Sequence, residues 1–191
     1  MTARSTSAPG PAIIDVTIVY VEMWGRPDAP PRAAPRADVS VVRAHSPTVS
    51  FYRYLYNEVG GPWLWYERRR MSDRRLAQLV QDPAIEVQVL QVGGVPAGYA
   101  ELDRRTPGEI ELAYFGLVPD FIGRGLGAYF LAWAVHRAWD LAPRRLWVHT
   151  CSLDHPRALA TYLGAGFAEY SRETVQILDP RALLDALPPA D

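Results

Sequence analysis

The chain has 191 residues, 49% of them apolar, and a formal net charge of -1 from 20 basic and 21 acidic side chains. That length suits one domain with a sizeable core, and the balanced charge gives no reason to expect nucleic acid or an anionic membrane surface as a partner. A single cysteine, Cys151, excludes an internal disulfide, Cys/His metal spacing is absent and no metal is expected, and no apolar run reaches the roughly 18–20 residues of a membrane span.

Residues 1–11 are small, polar and rich in Pro and Gly, with no apolar stretch of the signal-peptide kind. They are expected to be a disordered lead-in to a single domain over 12–191, in a cytoplasmic protein. Ala12 to Met23 (AIIDVTIVYVEM) is β-branched and partly alternating, which predicts a strand. A stiff loop with Pro27, Pro30, Pro31 and Pro35 leads to a second short strand, Val39 to Ala44, a candidate partner for the first. Ser46 and Pro47 read as the start of a helix reaching Val59, closed by Gly60-Gly61-Pro62. A second helix begins at Ser72 and stops at Asp82-Pro83.

Ile85 to Val92 alternates as a strand does, Gly93-Gly94 is a two-residue hairpin signal, and Ala97 to Leu102 returns. Glu109 to Val118 completes a three-strand meander. Gly123, Gly125 and Gly127 follow at once, and a long apolar helix pattern runs from about Gly125 to Leu141. Arg145 to Cys151 is the next strand; a strand reached through a helix should lie parallel to the one before it. Ser152 or Asp154 can cap a helix beginning at His155-Pro156, Gly164 and Gly166 mark its end, Phe167 to Leu178 is a last strand, and a short helix, RALLDAL, follows. The result is an α/β chain, a mixed and mostly antiparallel sheet with helices on both faces.

Strand, glycine loop, helix start is the order of a phosphate cradle, because glycines let an anion reach backbone N–H groups at the positive end of a helix. A turn between two core elements would look the same if the glycines stood alone. A Rossmann arrangement is disfavoured: no repeated βαβ units precede the glycines, and no acidic residue sits about 20 residues on in a following strand. Two other clusters bear on chemistry. Tyr52, Tyr56, Trp63 and Trp65 read either as cover for the end of the sheet or, taken together, as a wall for a flat or cationic ligand. Arg68 to Arg70 read as a solvated face. Glu101 and Glu111 stand in neighbouring apolar strands, where an unpaired carboxylate is costly; each is a candidate general base or a residue on a solvated face. His149 and His155 could relay a proton or be buried structural histidines. Cys151 reads as packing.

Element order and two motifs resemble the GCN5-related N-acetyltransferase (GNAT) family over about Val39 to Leu178. The family's loop, Gln/Arg-x-x-Gly-x-Gly/Ala after a strand ending Val-x-Pro, is similar to Leu117-Val118-Pro119 followed by Ile122-Gly123-Arg124-Gly125-Leu126-Gly127, with Ile122 in the Gln/Arg slot. The family's Asn-x-x-Ala, Tyr and Gly-Phe pattern is similar to His155, Ala158, Tyr162, Gly166 and Phe167, with His155 in the Asn slot. The resemblance implies acetyl transfer from acetyl-CoA to an amine, and a pair of splayed parallel strands at Glu109–Val118 and Arg145–Cys151. It implies that Leu117 and Val118 hold the pantetheine arm. It implies that Gly123, Arg124, Gly125, Leu126, Gly127 and Ala128 hold the pyrophosphate, largely through backbone N–H groups, that His155 lies on the cofactor, and that Tyr162 is the general acid. The acceptor is then expected to be a small-molecule amine of apolar or aromatic character, attacking directly. The alternatives are a protein N-terminus or lysine, and a non-catalytic acyl-CoA sensor of the same fold. A homodimer is left open.

Overall fold

A computed structural model describes residues 12–185. The expectations for 1–11, and for the end of the terminal helix beyond 185, lie outside the described residues. The strands are β1 (Ile13–Met23), β2 (Val39–Ala44), β3 (Ile85–Val92), β4 (Val95–Asp103), β5 (Glu109–Leu117), β6 (Arg145–Cys151) and β7 (Ala168–Leu178). The helices are α1 (Val49–Gly60), α2 (Asp73–Val80), α3 (Leu126–Asp140), α4 (Ala158–Gly164) and α5 (Pro180–Asp185). One seven-stranded sheet has the order β2-β3-β4-β5-β6-β1-β7, with β5–β6 its one parallel pair. Among the described residues no helix is long and apolar enough to cross a membrane.

The meander and the crossover form as their local signals dictate. Gly93 and Gly94 take φ of 59° and 82°, the left-handed pair that a two-residue hairpin needs. Ser72 caps α2 by accepting from Arg75 N–H at 3.4 Å. Three expectations change. The cap of α1 is Thr48, which accepts from Phe51 N–H, not Ser46. Asp154 does not open a helix at His155; α4 starts at Ala158. The first strand does not pair with the second: β1 crosses to the far half of the sheet and lies antiparallel between β6 and β7, with Ile18 opposite Cys151 and Val16 opposite Val175.

Two cores sit on the two faces. Tyr52, Leu55 and Tyr56 of α1 and Leu76 of α2 pack on Val87, Val89 and Tyr99. Phe130, Leu131 and Ala134 of α3 and Tyr162 of α4 pack on Val21, Leu102, Ile110 and Val148. A carboxylate is buried in each face. Glu86 of β3 accepts from Arg137 of α3 at 3.0 Å through both oxygens and pairs with Arg43 at 3.1 Å. Burial pushes its carboxyl up, but the Arg137 hydrogen bonds and the nearby arginine charges outweigh this and hold it below the usual range.

Glu101 of β4, fully buried, pairs with Arg68 at 2.7 Å and accepts from the Tyr52 hydroxyl. Burial pushes this carboxyl up against the pull of Arg68 and Tyr52. The Arg68 guanidinium also lies over the Tyr114 ring, 5.0 Å from its centroid. Arg68 is thus no part of a solvated face.

Removing one partner of such a pair strands a charge in an apolar core. Arg68→Leu is expected to lower the unfolding free energy by about 3 kcal/mol in urea titration. Arg68→Leu/Glu101→Gln should recover a large part of that, since a neutral amide still accepts from Tyr52. A double variant no more stable than the single one would show that the pair is not what the loss reports.

Candidate active site

The site begins with one extra residue. On β4, Glu101 faces Tyr114 and Leu102 faces Leu112, so Ala113 of β5 has no partner and forms a bulge. Pairing of β5 with β6 runs through Glu109–Arg145, Ile110–Leu146 and Glu111–Trp147 and stops there. Past the bulge the strands part, and a cleft of about 560 Å3 opens between Leu112–Leu117 on one side and Val148–Cys151 on the other.

The glycine loop closes one end. Gly123, Gly125, Gly127 and Ala128 line the cleft, as does Ile122. Gly125 takes φ 76°, which turns the chain into α3, and the helix starts with no side-chain cap and no acidic residue in its first turn. Its first N–H groups and the positive end of its dipole therefore stay available to an anion. A Cβ built at Gly127 would meet only the Leu117 side chain, at 3.8 Å. Leu117 borders the cleft, but Val118 and Leu126 are packed into the two cores, and Arg124 lays its guanidinium on Phe121 at 5.2 Å.

The roof is the connection after α1. Trp63, Leu64, Trp65, Tyr66 and Glu67 line the cleft. Trp65 folds back on Gly60, where a Cβ would run into its indole, and its Nε1 donates to Asp154 Oδ1 at 3.1 Å. Asp154 Oδ2 accepts from Thr150 Oγ1 and from Cys151 N–H, both at 2.9 Å. Trp63 packs edge-on against His155, with ring centroids 5.0 Å apart. The loop is thus tied to the turn after β6. Tyr52 and Tyr56, expected in this wall, are instead core residues at 0% and 1% exposure. They sit at positions i and i+4 of the buried stripe of α1, and Tyr56 reaches the site indirectly, donating to Glu67 at 3.0 Å.

The titratable groups divide in the same way. Glu101 lies in the core with Arg68 and does not line the cleft. Glu111 does not line it either, but its Oε1 is 3.3 Å from His149 Nδ1, and His149, half exposed, does. The interaction of its N–H with the accepting Glu111 carboxylate raises the imidazole above its ordinary value, and the charge of Glu111 adds to this. Tyr162 lines the cleft from α4, its ring between Phe115 and Phe167 at 6.3 and 6.1 Å. Burial, and then the charge of Asp154, push its phenol up, and no described residue hydrogen-bonds its hydroxyl. Burial pushes the Cys151 thiol up to about 11, so it is a poor nucleophile near neutrality. Among the described residues no group of His, Cys, Asp and Glu could hold a metal ion.

Sequence reasoning missed the Glu111–His149 pair, Asp154 as the roof's tie, and Glu67. The first needs the register of a parallel pair, and the other two are contacts between distant loops. A signal existed only for Arg68: a carboxylate in an apolar strand demands a cation, and a run of three arginines was at hand.

Against known proteins, the acetyltransferase (GNAT) family model matches residues 50–167. No curated protein sequence matches the chain. Among solved structures it is similar to a GCN5-related N-acetyltransferase from Kribbella flavida, with 16% identity, a TM-score of 0.56 and coverage of 86% of this chain and 58% of that one. It is similar to an aminoglycoside acetyltransferase from an uncultured soil metagenomic sample, with 10% identity, a TM-score of 0.56 and coverage of 68% and 88%. It is also similar to the ribosomal-protein-S18-alanine N-acetyltransferase of Escherichia coli, with 17% identity, a TM-score of 0.55 and coverage of 70% and 79%. The chain spans 51% to 66% of the length of the first solved structures it matches. The family match covers more than half of the chain and takes in the glycine loop, the parted strands and the Tyr162 helix, and the chain belongs to the acetyltransferase (GNAT) family.

Proposed function

We propose that the chain transfers an acetyl group from acetyl-CoA to the primary amine of a small molecule of apolar or aromatic character, by direct attack of the amine. The observation that carries this is the single cleft opened by the Ala113 bulge, with an uncapped glycine-led helix start at one end and a proton acceptor and a proton donor along its walls. The cradle fits a pyrophosphate: Gly123 and Gly125 have open space where side chains would stand, and the residue at 127 adds no bulk. The β5 edge beyond Glu111, unpaired with β6, offers backbone groups to the amide-bearing pantetheine arm. Acetyl-CoA, when bound, supplies the acyl thioester and a thiolate leaving group.

The chain's own residues then handle two protons. Glu111 accepts only, so its oxygen 3.3 Å from Nδ1 favours the His149 proton there and leaves Nε2 open to take the proton of the attacking amine. The carbon–nitrogen bond forms as the carbon–sulfur bond breaks. Tyr162, kept protonated by burial and by Asp154, donates its proton to the departing sulfur. The imidazolium and the phenolate are reset by proton exchange. Trp63 and Trp65 give the acceptor a flat apolar roof, and Glu67 gives its amine N–H a hydrogen-bond acceptor along the same wall.

A CoA-release assay over aryl- and alkylamines, aminoglycosides and peptide N-termini tests the reading. Turnover of small amines is expected; turnover of peptides alone would move the acceptor to protein, and acetyl-CoA binding without turnover would make the chain a sensor. Gly127→Glu should weaken acetyl-CoA binding at least about 100-fold in calorimetry while keeping the melting temperature, since a carboxylate fills the cradle and glutamate is the better helix former. Near-normal affinity would sink the loop assignment. Tyr162→Phe should lower kcat about 100-fold with little change in acetyl-CoA affinity, the scale of one general acid. His149 must be neutral to accept a proton, so kcat should rise with pH through a value above the ordinary imidazole pKa of about 6.5. In Glu111→Gln that acid limb should move to lower pH and the plateau should fall. A limb that stays put would take His149 out of the mechanism.

A further inference from the structure

The cleft does not end at His149. It continues across the far half of the sheet, where Val16 and Ile18 of β1 and Val175 and Ile177 of β7 line it. The register puts them on one face. Ile18 stands opposite Cys151 and Tyr20 opposite His149, while Val16 faces Val175 and Ile14 faces Ile177. By strand alternation these side chains share the face that carries His149 and Cys151. The other face of β1, with Val19, Val21 and Met23, packs in the α3 core. Ile18, Val175 and Ile177 are half-buried, and the polar boundary lies one step along, where the Tyr20 hydroxyl donates to Glu173 at 2.7 Å. All four lining residues lie outside residues 50–167, so the family model does not include this floor.

We propose that Val16, Ile18, Val175 and Ile177 form the subsite for the apolar body of the acceptor, a hydrocarbon that starts at Ile18 beside the reacting amine and runs along β1 toward Ile177, about 20 Å along the strand from the level of His149. The assignment rests on the acetyltransferase reading above. The sheet separates the two reactants: α3 and its glycine start lie on one face, and the floor lies on the other, beside the imidazole that takes the amine's proton. An occupant of the floor therefore reaches the reacting centre from the acceptor's side. The four side chains are aliphatic and branched and carry no charge or hydrogen-bonding group. They reward covered hydrocarbon and give a polar or polycationic body no partner. Because β1 lays half of the floor, the first strand of the chain selects the acceptor while the later elements supply the catalytic groups.

The test is a ladder of unbranched primary amines from ethylamine to dodecylamine, with acetyl-CoA, on the wild-type chain and on Ile18→Thr and Val175→Thr, which keep β-branched residues in the strands. The floor predicts that kcat/KM rises about fourfold per added methylene in the wild type, the increment of one buried CH2. The slope should flatten from the short chains onward in Ile18→Thr and only at the longest chains in Val175→Thr, while acetyl-CoA affinity is retained. Turnover with no chain-length dependence, or a slope unchanged in both variants, would overturn the subsite and leave the acetyltransferase reading standing. If no amine turns over, calorimetry of the same ladder decides the floor separately: affinity that rises with length and is lost in the variants supports it, and flat affinity overturns it. A parallel ladder of acyl-CoA thioesters from acetyl to dodecanoyl, with ethylamine fixed, identifies the other source of hydrocarbon. Rates that rise with acyl length and lose that rise in the variants would give the floor to the acyl chain and overturn the acceptor assignment.

Discussion

The site depends on a broken ladder. Ala113 adds one residue to β5 that β4 does not match, and a bulge bends and twists the strand that carries it. It also exchanges faces: before it Leu112 points to the α3 core, and after it Tyr114 points to the α1 side and Phe115 to the α3 side. Both new positions are then held. Phe115 packs against Phe130 at 5.3 Å and near Tyr162, and Tyr114 packs against Tyr56 and Trp65 at 5.1 and 5.0 Å. The β5 wall of the cleft is thus anchored in both cores. Closing it would need both aromatic clusters to move, and the hydrogen bonds regained between β5 and β6 would contribute only about 1 kcal/mol each. The aromatic packing thus opposes closure of the gap.

The two buried carboxylates register the layers on either side of that gap. Apolar packing resists separation but gives little direction, whereas a bidentate arginine–carboxylate pair fixes distance and angle. Arg137 sets α3, and with it the glycine loop, against β3 through Glu86. Arg68 ties the roof loop to β4 through a single hydrogen bond to Glu101, and Tyr52, which accepts from Arg68 and donates to Glu101, supplies the second constraint. Such pairs add little net stability for what they cost to desolvate, so their contribution here is geometry. Glu101 thus lies in the core and away from the cleft, its oxygens engaged by Arg68 and Tyr52.

What could be read from the sequence follows the range of the forces involved. The Gly93-Gly94 hairpin, the Ser72 cap, the glycine loop and the α3 crossover are decided within a few residues, and they stand where their signals put them. The place of β1 is decided by which strand edge is vacant once the whole sheet is assembled, and its partners are more than 100 residues away. Proximity to β2 was no guide, because the proline-bearing segment from Gly25 to Asp38 is long enough to carry the chain across. The Glu111–His149 pair depends on β6 lying beside β5 in one particular register. The aromatic cluster is a different case, for its division was present in the sequence. Tyr52, Leu55, Tyr56 and Val59 fall at helical spacing and form a core stripe, while Trp63 and Trp65 follow the glycines that end the helix. Composition grouped these aromatics; periodicity separates them.

The start of α3 completes the argument, because this chain caps helices elsewhere when it can. Thr48 caps α1 and Ser72 caps α2, each accepting from an N–H of the first turn. In α4, Ala158 N–H donates to His155 O within the preceding turn. α3 is the longest helix and begins with Gly125, with neither a side-chain acceptor nor an acidic residue in its first turn. A serine or aspartate at the position before Leu126 would satisfy those donors, but it would have to adopt the positive φ that Gly125 holds, and its side chain would stand where the cleft opens. Leaving the donors without a protein partner costs the free protein some helix stability. The same donors become binding free energy once an anion occupies the cradle, and a ligand held only by the folded state returns that stability in proportion to its concentration over its Kd. Helix stability and anion binding would thus draw on one set of N–H groups, and the sequence at 123–127 leaves them without a side-chain cap.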